Sequence, residues 1–463
     1  MATSSPVDST GLKGYFARHR TLDKYPEGAY RWWMLALTVM ATVVSFYEFG
    51  FGALPIYWMK SLHFNQDDFA HFIAVAVFLS AISAMFGGPL ADRHGRVVVI
   101  DGCLVIIVAL TFCNLLMTGF WSFMIVRGAM NLVAGLMWGA LGGLTRDMSP
   151  RVSRATAFGL LTLGAVACQW LWNFIPAQTL MWFGERWQAQ IIIMGVLAVI
   201  LTIPVLLSLK DLSPTLRLGV VGESASEAFE SGDLGGAAPT AAMAGFGQLL
   251  GRWESWPLVL GCVAFLTVAI TIQNFGPLMF HQVYNFSGPE AARITAKFWF
   301  ANLVMLVPAG YLSDKLRVRK PLSLLLSAAT LGILLWWFRN FYPPLSQSSL
   351  ELVTLLLGGI SATAFIPWCA LYSEYLEDVS PALQAIGWSF FQMAYRIWIA
   401  ISVLLLPYVT RVYGWQVWME GMIVGVVIFM GSLLVLRGYW RPATVAPPTA
   451  APHGAPAPAA GGR

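Results

Sequence analysis

The sequence predicts an all-α membrane protein of twelve transmembrane helices, arranged as two pseudo-symmetric six-helix bundles. Three observations predict it. The 463 residues are 57% hydrophobic and only 11% charged, with a mean hydropathy of +0.67, whereas a soluble domain carries about 25% charge. The apolar residues are gathered into runs of about 20, the length that crosses a bilayer core. Short stretches of the first half also return in the second half at nearly one offset.

The elements follow in order. Residues 1–30 are polar with scattered basic residues and read as a cytoplasmic N-terminal segment; the first apolar run is too long for a signal-peptide core. Six spans follow at roughly 31–59, 67–91, 97–118, 120–145, 154–180 and 187–209, and make a first bundle over 31–209. Spans 3 and 4 are separated only by a short turn near Gly119. Residues 210–255, rich in Gly, Ala, Ser and acidic residues, read as a mostly flexible linker. The end of that linker, Phe246 to Trp253, has the pattern of a short interfacial helix. A second bundle over 256–437 holds spans at roughly 256–281, 289–313, 321–341, 349–373, 382–410 and 415–437. The Pro/Ala-rich tail 438–463 is expected to be disordered.

Basic residues set the orientation. Lys13, Arg18, Arg20, Lys24, Arg31, Arg93, Arg96, Arg146, Arg151, Arg154, Lys315, Arg317, Arg319 and Lys320 fall on one side. Only Lys60, Arg186, Arg293, Arg339 and Arg411 fall on the other. The positive-inside rule then places both termini in the cytoplasm, in a plasma (inner) membrane. The small net charge of +5 is explained by span ends and does not point to nucleic acid. The five cysteines lie inside apolar runs without metal-ligand spacing and read as packing residues, neither disulfides nor zinc ligands.

The internal repeat rests on three matches. "GPLADRHGR" from Gly88 is answered by "GYLSDKLRVRK" from Gly310, "DMSP" at Asp147 by "DVSP" at Asp378, and "YEFG" at Tyr47 by "QNFG" at Gln273. Each pair holds the same place in its six-span group. The first stretch resembles the loop motif between spans 2 and 3 of the major facilitator superfamily, Gly-x-Leu-Ala-Asp-Arg-x-Gly-Arg, at every fixed position. That resemblance implies two six-helix domains around a central cavity, substrate bound near the midplane, and alternating access, as in other repeat-built carriers. It also implies a gating latch at Gly88, Asp92, Arg93, Gly95 and Arg96. Asp314 stands in the place of Asp92 in the second copy, which lacks a counterpart of Gly95. Ser149-Pro150 and Ser380-Pro381 have the chemistry to start spans 5 and 11. The competing reading of the loop is topology alone.

Ionisable residues at membrane depth are costly and are functional candidates by default. Four stand out: Glu48 in span 1, Arg127 in span 4, Lys297 in span 8 and Arg396 in span 11. A membrane carboxylate is pulled one way by desolvation and the other by nearby cations, which makes Glu48 a candidate proton carrier. By the same resemblance Arg127 matches the span 4 arginine associated with proton coupling, although Asn131 stands where a Gly is usual. Glu48 and Arg127 are either a coupling pair or a static one. Gln392 lies one turn before Arg396, with Tyr395 beside it. Gln169 and Asn173 form a similar pair on span 5, and Gln273 and Asn274 precede Gly276-Pro277, an expected break in span 7. These polar residues either bind substrate or join neighbouring helices, and Lys297 either faces the pathway or snorkels outward. Three cations against one carboxylate favour an anionic substrate, and an Arg fork suits a carboxylate. Deep aromatic residues, Trp138, Trp172, Phe275, Trp368 and Trp388, either stack on substrate or pack the core.

The expected function is therefore proton-coupled symport of a small organic carboxylate by a monomer in the lipid bilayer. The alternative is proton-driven export of drugs or metabolites. The antiporter motif of span 5, Gly-Pro-x-x-Gly-Gly, is replaced here by Gly164-Ala165-Val166-Ala167-Cys168-Gln169. No nucleotide loop, metal cluster or nucleophile triad appears, so neither an enzyme nor a cofactor is expected.

Overall fold

The computed structural model describes residues 20–22, 24–148, 154–213, 249–316, 318–342, 345–379, 384–436 and 438. The tail, most of the linker, and the expected helix starts at Ser149-Pro150 and Ser380-Pro381 lie outside the described residues.

Span 1 is built of Gly28–Ser45, a 3-10 turn Phe46–Phe49 and a second helix Leu54–Ser61. Spans 2 to 6 are Gln66–His94, Arg96–Cys113, Phe120–Asp147, Arg154–Thr179 and Trp187–Ser208. Span 7 comprises Ser255–Phe265 and Thr267–Tyr284. Spans 8 to 12 are Gly288–Leu316, Lys320–Arg339, Gln347–Val379, Gln384–Val412 and Trp415–Val435. Among the described residues, eleven helices are long and apolar enough to cross a membrane. Span 8 is the exception. It is 29 residues long but carries Glu290, Arg293, Lys297, Asp314 and Lys315.

Local chemistry sets several boundaries. Asn65 opens span 2 with a reciprocal cap: its side chain accepts from Asp68 N–H at 2.8 Å and its own N–H donates to the Asp68 carboxylate at 3.0 Å. The turn between spans 3 and 4 is held by Ser122, whose hydroxyl accepts from the N–H groups of Thr118 and Gly119.

Packing repeats between the halves. Spans 2 and 4, 3 and 4, 1 and 6, and 3 and 6 pack together, as do 8 and 10, 9 and 10, 7 and 12, and 9 and 12. The two bundles meet along span 2 with span 11 and span 5 with span 8. Those two contacts exchange under a shift of six spans, which is the pseudo-symmetry the repeat requires.

Two expectations need correction. Span 7 does not break at Gly276-Pro277. Its helix runs through Pro277, and the interruption lies at Leu266, where the ladder continues through Leu266 N–H to Cys262 O (3.0 Å) and Ile270 N–H to Leu266 O (2.9 Å). A proline removes one donor, and packed transmembrane neighbours tolerate that loss. The linker, expected to be mostly flexible over 210–255, begins as a short strand. Asp211–Leu212 pairs in parallel with Thr21–Leu22, and Ser213 N–H donates to Leu22 O at 2.9 Å. Arg20 secures the same clasp by an ion pair to Asp101 of span 3.

Candidate functional site

The site is built around the interruption in span 1. Between Phe49 and Leu54 the chain leaves helical geometry, and span 5 fills the gap. A Cβ on Gly50 would lie 2.3 Å from Nε1 of Trp172, and one on Gly52, whose φ is +52°, would lie 2.0 Å from Trp172 O. Only glycine fits both positions. The Tyr47 ring meets Trp172 edge-on at 5.2 Å.

An interrupted helix leaves carbonyls without donors, and in a membrane they need partners. Arg127 of span 4 supplies them. Its Nη2 donates to Glu48 O at 3.1 Å and to Gly50 O at 3.2 Å. Gln169 Nε2 of span 5 donates to the carbonyl between them, Phe49 O, at 3.3 Å. The Arg127 guanidinium also lies 4.8 Å from the Phe51 ring centroid and 5.4 Å from that of Trp58. Glu48 and Arg127 are thus brought together through the backbone of Glu48, with no ion pair within 4 Å between their side chains.

The Glu48 carboxylate points elsewhere. It is buried, neither oxygen has a hydrogen-bond partner, and it faces Ser80 of span 2, Arg396 of span 11 and Arg127. Ser80 lies beside it without meeting hydrogen-bond geometry. Arg396 crosses between the bundles: its Nη1 donates to Ser80 Oγ at 3.1 Å. The first bundle therefore presents an unpaired carboxylate, and the second presents a guanidinium next to it.

The remaining expected residues divide. Asn173 Nδ2 donates to Gln169 O at 2.8 Å, and Asn274 Nδ2 to Ile270 O at 2.9 Å. The side-chain oxygens of Gln169, Asn173, Asn274 and Asn131 are buried without partners. They are spare acceptors on spans 4, 5 and 7. Gln273 is half-buried and Gln392 exposed. Tyr395 stacks on Phe391 at 6.2 Å, at the edge of an aromatic cluster with Trp368, Tyr372 and Trp388 that joins span 10 to span 11. Lys297 is half-buried and makes no hydrogen bond or ion pair among the described residues. It shares a face with Arg293, Phe300, Val304 and Val307, all exposed, and is not brought to Glu48.

Of the loop-motif residues, Gly88, Asp92 and Arg93 are on the span 2 helix and Asp314 is on span 8; their side chains lie outside the described residues. Gly95 ends span 2 with φ +95°. The Arg96 N–H that opens span 3 donates to Asp211 Oδ2 at 2.9 Å, so the loop is tied to the start of the linker.

Sequence reasoning missed Ser80 and a cleft at the far end of the bundles. The cleft, about 340 Å³, is lined by Asn65, Gln66, Asp67, Gln282, Pro407, Thr410, Arg411 and Trp415. Asp67 pairs with Arg411 across it. Gln282 donates to Gln66 at 3.1 Å and accepts from Trp415 Nε1 at 3.1 Å. At the same end Gly288 of span 8 packs on the Tyr57 ring, where any Cβ would fall 2.2 Å from the hydroxyl. Charges at span ends are ordinary, and only the folded arrangement pairs these two. Polar bonds join the bundles at this end and at the height of Ser80.

Comparison with known proteins agrees with this architecture. Residues 35–402 match the sequence profile of the Major Facilitator Superfamily. The crystal structure of a D-xylose-proton symporter superposes with a TM-score of 0.67 at 15% identity, covering 87% of this chain and 97% of the other. A bacterial homolog of the human lysosomal transporter Spinster, in an inward-facing, unoccupied conformation, superposes with a TM-score of 0.61 at 15% identity, covering 88% and 96%. At that identity the likeness concerns the fold. No curated protein matches the sequence.

Proposed function

The chain belongs to the Major Facilitator Superfamily of membrane transporters, and from that premise we propose that it is a proton-coupled symporter of a small organic anion, with Glu48 as the proton carrier and Arg396 as the anion-binding cation. The observation that supports this reading is the mid-membrane arrangement of an unpaired, buried Glu48 carboxylate and an Arg396 guanidinium on the opposite bundle.

An ionised carboxylate with no hydrogen-bond donor loses several kcal/mol of solvation. Its charge is tolerated only beside a cation, so the charge state of Glu48 and the position of Arg396 are linked. A carboxylate substrate offers Arg396 a planar two-oxygen partner that Ser80 cannot match. The spare oxygens of Gln169, Asn173 and Asn274 supply acceptors for hydroxyl or amine groups on the rest of such a molecule. The bias of basic residues supports a carrier with cytoplasmic termini, so the Asp67–Arg411 end faces outward and the protein works as a monomer by alternating access.

The test is a thermal-stability screen of the full-length protein against carboxylates, neutral sugars and cationic dyes. A ligand at a hundredfold excess over Kd adds about 2.7 kcal/mol. Carboxylates are expected to stabilise the wild type and to lose that effect in Arg396→Gln. Stabilisation by cationic or neutral compounds alone would favour a proton-driven exporter and leave Arg396 a structural role. Uptake by Glu48→Gln in proteoliposomes is expected to lose its response to an imposed pH gradient; a mutant that keeps full pH-driven accumulation discards Glu48 as the carrier.

A further inference from the structure

Ser80 lies near the middle of span 2, with no exposed surface. It stands where two charged groups from different bundles come close without touching. On one side its hydroxyl accepts from Arg396 Nη1 at 3.1 Å. On the other is the Glu48 carboxylate, buried and without a donor. A guanidinium only donates and an ionised carboxylate only accepts, whereas a hydroxyl does both. With Arg396 occupying a lone pair, the Ser80 proton remains free to turn to Glu48.

The other groups facing Glu48 are Arg127 of span 4 and the Cys168 thiol of span 5. Arg127 is committed to the carbonyls of Glu48 and Gly50 and is enclosed by aromatic rings. Cys168 is wholly buried and is a weak donor. Arg396 is the movable partner. It is half-buried, and Ser80 is its one hydrogen-bond partner among the described residues.

We propose that Ser80 is a positioning residue that ties the two bundles together at mid-height. It holds Arg396 on the first bundle while Glu48 is ionised and lets it go when Glu48 takes up a proton from water. The inference rests on the reading of Glu48 as the proton carrier. It adds an order of events: Arg396 becomes available to an anionic substrate only after Glu48 is neutral. It also gives the proton a mechanical effect, because the bond it weakens joins span 2 to span 11, one of the two seams along which the bundles meet.

The test needs no substrate, since the proton is the probe. Spin labels are placed at Ser61 and Tyr413, exposed positions at the ends of spans 1 and 11, in full-length protein whose native cysteines are replaced. Distances across the outer end are measured by pulsed electron resonance from pH 5 to pH 9. In the wild type the short-distance population is expected to dominate at high pH and to shrink as pH falls. Ser80→Ala is expected to lower the ratio of short to long distances at high pH at least tenfold and to abolish its response to pH. Glu48→Gln is expected to hold the low-pH distribution throughout.

A Ser80→Ala distribution that tracks the wild type overturns the proposal, as does a wild type that does not respond to pH. If Glu48→Gln keeps titrating while Ser80→Ala does not, the Ser80–Arg396 tie stands and the reading of Glu48 as proton carrier fails. If Glu48→Gln is inert while Ser80→Ala behaves as wild type, Glu48 stands and the tie fails. Should Ser80→Ala not fold, Arg396→Gln removes the same bond from the other side and is read in the same way.

Discussion

Spans 1 and 7 occupy equivalent places in the two bundles, yet they are interrupted in different ways and to different ends. Span 1 opens fully, with a 3-10 turn and a non-helical stretch through Gly50 and Gly52. The freed carbonyls require donors, and the donors are Arg127 and Gln169, brought from spans 4 and 5. Span 7 only falters at Leu266 and keeps its hydrogen-bond ladder. Its polar groups are taken by indole N–H donors instead: Trp398 to Thr267 at 2.8 Å, Trp418 to Thr271 at 3.0 Å and Trp415 to Gln282 at 3.1 Å. One repeat has turned its first helix into a charged site. The other has turned its counterpart into a packed strut, and its cation comes from span 11. A duplicated fold can thus keep its packing while concentrating the charge chemistry on one side of the symmetry axis.

The largest effect is expected where the interruption itself is attacked. Gly52→Ala places a Cβ 2.0 Å from a backbone carbonyl at φ +52°. Neither the span 5 backbone nor the dihedral can yield cheaply, so the cost is about 3 kcal/mol or more. Monodisperse yield in detergent should collapse. In the other repeat Gly276→Ala, at the position that answers Gly50, meets only side chains, Thr295 at 3.2 Å and Ile272 at 3.5 Å, within a continuous helix. Helix propensity offsets those contacts, and stability should stay within about 1 kcal/mol of wild type. Equal losses in the two variants would break the distinction between an opened span and a strut.

Next comes Arg127→Lys. The charge survives, but one ammonium cannot reproduce the two-carbonyl contact and the ring stacking. Loss of a buried charged hydrogen-bond partner costs about 3–5 kcal/mol when a group is left stranded. Transport is expected to fall at least a hundredfold, with thermal stability reduced as well. If transport and stability are instead both kept, the charge that lysine retains beside Glu48 is what matters, and not the contact with the span 1 backbone.

Much of this arrangement was legible in the sequence, for identifiable reasons. Apolar runs, the repeat and the loop motif carry the twelve-span plan, because burial in lipid is written residue by residue. Glu48, Arg127 and Arg396 stand out because a membrane makes every charge conspicuous. The details of the breaks were not legible. Gly50, Gly52 and Pro55 carry the same local signal as Gly276-Pro277, and what separates them is Trp172, more than a hundred residues from Gly52. Ser80 carries no signal of its own: a serine in an apolar run is unremarkable until Arg396 reaches it. The start of the linker reads as mostly flexible because its polar composition hides Asp211, which has partners at Arg96 and at the strand of Thr21–Leu22.

The smallest effect separates strut from site most finely. Trp418→Phe keeps a large ring against span 7 but removes the indole N–H that reaches Thr271. Thr271 Oγ1 still donates to Thr267 O at 2.8 Å, so the hydroxyl loses an incoming donor and keeps its own bond. One neutral hydrogen bond contributes about 0.5–1.5 kcal/mol, and the melting temperature should drop by only a few degrees. If the indole serves only the strut, the pH dependence of uptake and of the Ser61–Tyr413 distance remains that of the wild type. A shifted pH profile in Trp418→Phe would mean that the second repeat's hydrogen bonds also set the height of Arg396, and that the division of labour between the two bundles is less complete than their first helices suggest.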